Sequence, residues 1–379
     1  MRVVLDGSVC FDRFGACFNY YTQLVPRLIS RGCNVTVTPS PTGALDGLNQ
    51  SGAEIAQTLL PTASWLPQGP VRQMLSRQKQ RLEKWRWGRK LAARGGEPTI
   101  FQSFYYGLPP SNETLFLPMV VDMIQEKFPQ WYGDAAARVT KEQCVRRASR
   151  IITISENSKR DIVDYFGVNP KKIDVIYLGV DPIFQTPTAE RTITAVQEKY
   201  RLPAPYFLQI GGRAHHKNFP RLFEAYARLA ERDPIDLVCA GEMWSEEERA
   251  MLRASGVGDR VHLVHRPNQA ELVALLHGSK GLLYPSLYEG FGIPPLEAMA
   301  SGIPVAASRA GSILEVVGNA AALFDPLDVQ EMVHALRTLR DPRQAESLRK
   351  QGLERAPLFS WDTIADQTVA AYGLASEKR

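Results

Sequence analysis

Glu289 and Glu297, with seven residues between them, frame the most chemically suggestive run of the chain, Tyr284 to Ser308, YPSLYEGFGIPPLEAMASGIPVAAS. Ser286 and Leu287 read as the end of a strand and Glu289-Gly290-Phe291-Gly292 as a loop. Pro294 and Pro295 suit a first helical turn, and Gly302 suits the position just past the helix end. A short helix therefore points its N-terminus at the carboxyl edge of a strand, where free amides and the positive dipole end suit a diphosphate. Glu289, on the loop, can reach a sugar ring. Glu297, inside the helix start, can accept hydrogen bonds from a ribose diol. Either acid alone would read as a surface residue or a cap; the combination with GFG and two prolines points to a site.

A second cluster is Gly211-Gly212-Arg213-Ala214-His215-His216-Lys217-Asn218, between a strand-like run and a helix that begins near Pro220. A glycine turn lets backbone approach a phosphate pair, which guanidinium can grip in a bidentate way and ammonium as a compact charge. His215 and His216 are adjacent, but no third ligand at useful spacing accompanies them and no DxD pair occurs, so no metal is expected.

These clusters need a frame, and strand-like runs alternate with helical ones twice over, as in parallel sheets with helices on both faces. The first half offers Val3–Asp6, Asn34–Thr38, Thr99–Gln102, Leu115–Val121, Ile151–Ile154 and Asp174–Leu178. The second offers Phe207–Ile210, Leu237–Ala240, Val261–Val264, Gly281–Tyr284, Pro304–Ala307 and Ala322–Phe324. From about Gly179 to Pro203, prolines at 182, 187 and 203 and no sustained periodicity read as an interdomain connection, where a cleft should open. The expected domains are 1–180, 181–358 and a terminal helix in 359–379. Ser360 suits the N-cap of that helix, and Trp361, Ile364, Ala365, Val369 and Tyr372 share one of its faces.

A chain of 379 residues suits two such domains, and 44% apolar with 22% charged residues is globular. Five scattered cysteines without a CxxC pair point to a reducing, cytoplasmic setting, and no stretch reaches the roughly 18 apolar residues of a membrane span. The net charge of +5 is local in origin: Val71 to Arg94 holds nine Lys or Arg against Glu83 alone, a +8 that leaves −3 elsewhere. Val71, Met74, Leu75, Gln78, Leu82 and Trp85 recur there at helical spacing. Two readings fit that segment, a solvated helix on its own domain or a peripheral contact with anionic lipid at the inner face of the cytoplasmic membrane. Nothing points to nucleic acid.

The run SLYEGFGIPPLEAMASGIPVAAS resembles the donor-site signature of retaining glycosyltransferase family 4. The likeness extends through Phe207–Asn218, Ser312–Asp325 and, less cleanly, the N-terminal half. It implies two Rossmann-like domains facing across a cleft, the GT-B architecture, with the terminal helix crossing back to the first; plain packing on the second domain is the alternative. Carried over by position, Glu289 would contact the transferred sugar, Phe291, Gly292 and Ile293 would offer amides to the diphosphate, and Glu297 would hold the ribose. Arg213 and Lys217, beside Gly211 and Gly212, would bind the diphosphate, and the base would lie near His265, Arg266 and Pro267. Gly15 keeps the first glycine of the family's N-terminal pair, and Ala16 replaces the second. Val121 stands where many relatives have the histidine of a His-Asp pair, followed by Asp122, which fits either a ligand role or a strand-end cap. All six histidines lie beyond residue 214.

The resemblance implies a metal-independent, retaining hexosyltransferase with a nucleotide-diphosphate sugar as substrate, GDP-mannose or a UDP-sugar, and a glycan or lipid-phosphate-linked acceptor. Relatives of this appearance often build surface polysaccharides. No cofactor is expected. A catalytically silent nucleotide-sugar-binding subunit would keep Arg213, Lys217 and Glu297, and differs in releasing no free nucleotide. A dehydrogenase is disfavoured, because no GxGxxG follows the first strand.

Overall fold

The computed structural model describes residues 1–10, 16–40, 42–55, 99–104, 107–109, 111, 114–231 and 233–377. They form two compact units, one of Met1–Pro129, Gly133–Leu178 and Trp361–Arg379, the other of Gln130–Tyr132 and Gly179–Ser360. Gly15 and the basic segment 71–94 lie outside the described residues.

In the first unit β1 (Arg2–Leu5), β2 (Asn34–Val37), β3 (Glu54–Ile55), β4 (Thr99–Phe104), β5 (Leu115–Val120), β6 (Ile151–Thr153) and β7 (Ile173–Val175) form a sheet in the order β3-β2-β1-β4-β5-β6-β7. Every pairing is parallel. The near-continuous apolar runs of its central strands follow from burial on both faces. β3 was not expected, since two residues are too short to carry a period.

Helix Ala16–Ser30 buries Tyr20, Tyr21, Leu24, Val25 and Leu28 at helical spacing. The terminal helix, Trp361–Ser376, packs beside it, with Trp361 edge-on to Tyr20 at 6.1 Å. A buried relay fixes the register of that packing: the Tyr372 hydroxyl donates to Gln102 Oε1, and Gln102 Nε2 donates to Tyr20 at 2.6 Å. At the rim Arg31 bonds Asp366 at 2.5 Å and the carbonyl of Asp362 at 3.0 Å. The terminal helix is thus part of the first unit.

The second unit holds β8 (Tyr206–Ile210), β9 (Asp236–Gly241), β10 (Val261–His265), β11 (Leu282–Tyr284), β12 (Val305–Ser308) and β13 (Ala321–Phe324), in the order β10-β9-β8-β11-β12-β13, again all parallel. Helix Phe219–Ala230 places Phe219, Leu222, Phe223, Tyr226 and Leu229 in a core shared with Met332, Leu336 and Leu339 of helix Val329–Arg340. The stretch 179–203 is not an open connection. It forms a short turn, Pro182–Gln185, and a helix, Glu190–Tyr200, which buries only Ile193 and Val196. Two anchors in eleven residues are too few to show as a period, which is why the sequence hides this helix.

Candidate active site

In the second sheet β8 and β11 are neighbours, yet the chain leaves β8 toward β9 on one side and β11 toward β12 on the other. Such a reversal of strand order opens a crevice at the carboxyl ends of the two strands. The loops that follow them, Gly211–Asn218 and Pro285–Gly292, are therefore brought together by topology. Leu287 N–H donates to the His216 carbonyl at 2.7 Å, and Asn218 Nδ2 donates to the carbonyls of Pro285 at 3.1 Å and Pro326 at 2.7 Å. Across this seam Lys217 Nζ lies 2.6 Å from Glu289 Oε1, with the side chains 26% and 10% exposed. The pair is partly shielded but reachable, so its charges act in a lower dielectric than water.

The loop after β11 is tightly held. Ser312 Oγ lies 2.8 Å from the Glu289 carbonyl and 2.7 Å from that of Phe291, which turns both carbonyls toward it. The Phe291 ring packs edge-on against Phe359 at 5.7 Å. Gly292 has φ 137°, a backbone conformation open only to glycine, and it caps helix Ile293–Ala300 without a side-chain partner. Pro294 and Pro295 carry no N–H, so the free donors of this helix start reduce to the amides of Gly292 and Ile293, which find no acceptor among the described residues. Two amides at a positive dipole end suit an anion.

Glu297 lies in the same helix and is buried. Burial, with Asp181 nearby, raises its carboxyl to about 8, so it is largely protonated at neutral pH. Tyr284 is pushed well above the usual phenol range by burial and by Glu289 beside it. On the other loop Gly211 has φ 101°, and a Cβ on Gly211 or Gly212 would meet nothing within 4 Å, so the space above both glycines is open.

Arg213, expected to bind a diphosphate with Lys217, here has partners of its own. Its side chain is 3% exposed, and Nε bonds Glu248 Oε1 at 2.8 Å. Nη2 donates to the carbonyls of Glu242 at 2.7 Å and Met243 at 3.0 Å, while the guanidinium lies 4.3 Å from the Trp244 ring centre. Nε and Nη2 thus brace the segment after β9, while the buried Nη1 has no partner among the described residues. Arg266, at φ 46°, forms an exposed pair with Glu242, Nε to Oε1 at 3.0 Å. In the first unit the Asp122 carboxylate accepts the Ile124 amide at 3.0 Å, a contact of the strand-end cap kind.

The structure adds residues that spacing could not reveal. Trp131 stacks on His215 at 5.2 Å, and the Tyr132 hydroxyl lies 2.5 Å from His216 Nδ1. Burial, then Lys217, lowers His216 to about 4, so the imidazole is neutral at physiological pH. A Trp-Tyr pair more than 80 positions upstream gave no sequence signal of this contact. Among the described residues no group of three or more His, Cys, Asp or Glu side chains is arranged to hold a metal ion.

Comparison with known proteins follows the same division. Residues 18–184 match the family model described as Glycosyltransferase Family 4, and residues 191–355 the one described as Glycosyl transferases group 1. The chain is 37% identical over 250 residues to the MMP alpha-(1->4)-mannosyltransferase of Mycolicibacterium hassiacum, covering 64% of this chain and 57% of that protein. It is 33% identical over 234 residues to the O-antigen chain mannosyltransferase B of Escherichia coli, covering 60% of this chain and 61% of that one. The matches thus span less than two thirds of either relative. Among solved structures, sucrose-phosphate synthase from Thermosynechococcus elongatus superposes with a TM-score of 0.73 at 19% identity over 98% of both chains. Anabaena HepE in complex with UDP-glucose gives 0.70 at 16% identity over 98% of this chain and 99% of that one. At these identities the likeness is one of fold.

Proposed function

We propose, from the premise that the chain belongs to glycosyltransferase family 4, that it moves a hexose from a nucleotide-diphosphate sugar to a hydroxyl of a glycan or lipid-linked acceptor during polysaccharide assembly. The relatives named above include mannosyltransferases, one of them of an O-antigen chain, which favours GDP-mannose as donor. HepE, crystallised with UDP-glucose, keeps a UDP-sugar in view. The observation that carries the reading is the Lys217–Glu289 pair at the switch point of the second sheet, together with the two open amides of Gly292 and Ile293.

The chemistry follows from charge development. Cleavage of the bond between the anomeric carbon and the phosphate oxygen leaves positive character on the sugar and negative charge on the diphosphate. Lys217 and the Gly292 and Ile293 amides meet the negative charge, preorganised and partly shielded from water. Glu289, held beside Lys217, would stabilise the positive sugar. We read the transfer as retaining: the acceptor oxygen enters on the face the diphosphate leaves, and its proton passes to the departing phosphate oxygen, the base on that face. Lys217 and the amides supply the cationic counterpart of the leaving group, so the reaction proceeds without a divalent ion. The neutral Glu297 carboxyl both donates and accepts, and so pairs with a ribose diol.

A thermal-shift screen with GDP-mannose, UDP-glucose and other nucleotide sugars tests the donor class, since binding to the native state raises the melting temperature. Proton NMR of the product reports the anomeric configuration. A protein that no nucleotide or nucleotide sugar stabilises would overturn the reading.

A further inference from the structure

Resting on the donor reading above, a second question is which neutral group reads the hydroxyls of the transferred sugar. All six histidines lie beyond residue 214, and Val121 stands next to Asp122. One imidazole lies at the seam of the second unit. His216 is 8% exposed, precedes Lys217 directly, and receives the Leu287 amide on its carbonyl, so it is fixed to both loops that hold the Lys217–Glu289 pair.

We propose that His216 Nε2 hydrogen-bonds a hydroxyl of the transferred sugar, with Tyr132 as the positioning residue that sets its tautomer. The Tyr132 hydroxyl lies 2.5 Å from Nδ1, and the two rings meet edge to face at 5.5 Å. A neutral imidazole has one donor and one acceptor nitrogen. The phenol is the better donor of the pair, so Nδ1 accepts and the proton resides on Nε2. Nε2 has no protein partner among the described residues. A neutral donor with a fixed direction suits a hydroxyl, whereas the diphosphate already has Lys217 and two amides. Trp131, stacked on His215 at 5.2 Å with an interplanar angle of 15°, braces the preceding residue and limits rotation of the loop.

Calorimetric titrations separate this role from a purely structural one. Wild type, His216→Ala, His216→Gln and Tyr132→Phe are titrated with GDP-mannose and GDP, and with UDP-glucose and UDP. For the donor that wild type binds, His216→Ala is expected to weaken the nucleotide sugar about tenfold, the worth of one hydrogen bond, and to leave the free nucleotide unchanged. His216→Gln, whose amide can stand near the Nε2 position, recovers most of the loss. Tyr132→Phe gives the same split with smaller amplitude, and serves if His216→Ala does not fold. Equal weakening of nucleotide and nucleotide sugar, or no weakening of either, overturns the proposal. A wild-type protein that binds none of the four ligands instead overturns the donor reading, and this inference with it.

Discussion

Lys217 and Glu289 are 72 residues apart in sequence, yet Nζ and Oε1 lie 2.6 Å apart because their loops leave the two strands that flank the switch point of one sheet. An incoming diphosphate would therefore compete with Glu289 for the ammonium, freeing the carboxylate to face the sugar. Lys217→Ala is expected to reduce turnover by about two to three orders of magnitude, by analogy with loss of one oxyanion donor. Glu289→Ala should abolish transfer while circular dichroism shows the fold intact. Normal turnover by either variant contradicts the assignment.

Arg213 separates two accounts of the same loop. As a cation for the diphosphate, its removal would lower turnover and spare stability. With its guanidinium bonded to Glu248 and to two carbonyls, Arg213→Ala instead leaves partly buried acceptors unpaired. The expected outcome is a destabilisation on the order of 1–3 kcal/mol, read as a lower urea midpoint. A variant of wild-type stability and a hundredfold slower turnover would restore Arg213 to the leaving group.

Two glycines of the site should respond in opposite ways. Gly292→Ala places a side chain at φ 137° although its Cβ would meet nothing closer than 3.8 Å, so the cost is backbone strain of about 1–3 kcal/mol. Gly212→Ala meets nothing within 4 Å and should leave the melting temperature unchanged. Its new methyl group would nonetheless enter the open space above the loop and weaken nucleotide binding. Unchanged nucleotide affinity in Gly212→Ala would show that the diphosphate lies elsewhere.

Glu297 predicts a pH dependence of stability. Its carboxyl is raised from 4.5 to about 8 in the folded chain, first by burial and then by Asp181. Between those values the folded state holds a proton that the unfolded state releases, so stability falls as pH rises through the window and the loss is complete above about pH 8. Glu297→Gln should match wild type below about pH 4.5 and exceed it above pH 8, by a few kcal/mol at most. Urea midpoints at acid, neutral and alkaline pH check this, and a difference independent of pH contradicts it.

Much of this architecture was legible in the residues. Buried parallel strands announce themselves as apolar runs, and twelve were placed within a few residues of where they stand. The loop and helix around Gly292, Pro294 and Pro295 were readable because glycine and proline constrain backbone locally. What stayed hidden depends on contacts distant in the chain. Arg213 and Lys217 look alike in a basic loop, and only the fold shows that one pairs with Glu248 and the other with Glu289. Helix Glu190–Tyr200 has two anchors and no period. The Tyr132–His216 contact joins residues 84 positions apart and leaves no local mark.

The central claim is that Lys217 and the amides at the start of helix Ile293–Ala300 hold the diphosphate of the donor without help from a divalent ion. Titration of GDP and UDP into wild type and Lys217→Ala, in buffer containing EDTA, tests it most directly. The account predicts saturable binding of one nucleotide by wild type and its loss, or a weakening of at least tenfold, in the variant. Binding that appears only when magnesium or manganese is added, or that is equal in the two proteins, would contradict it.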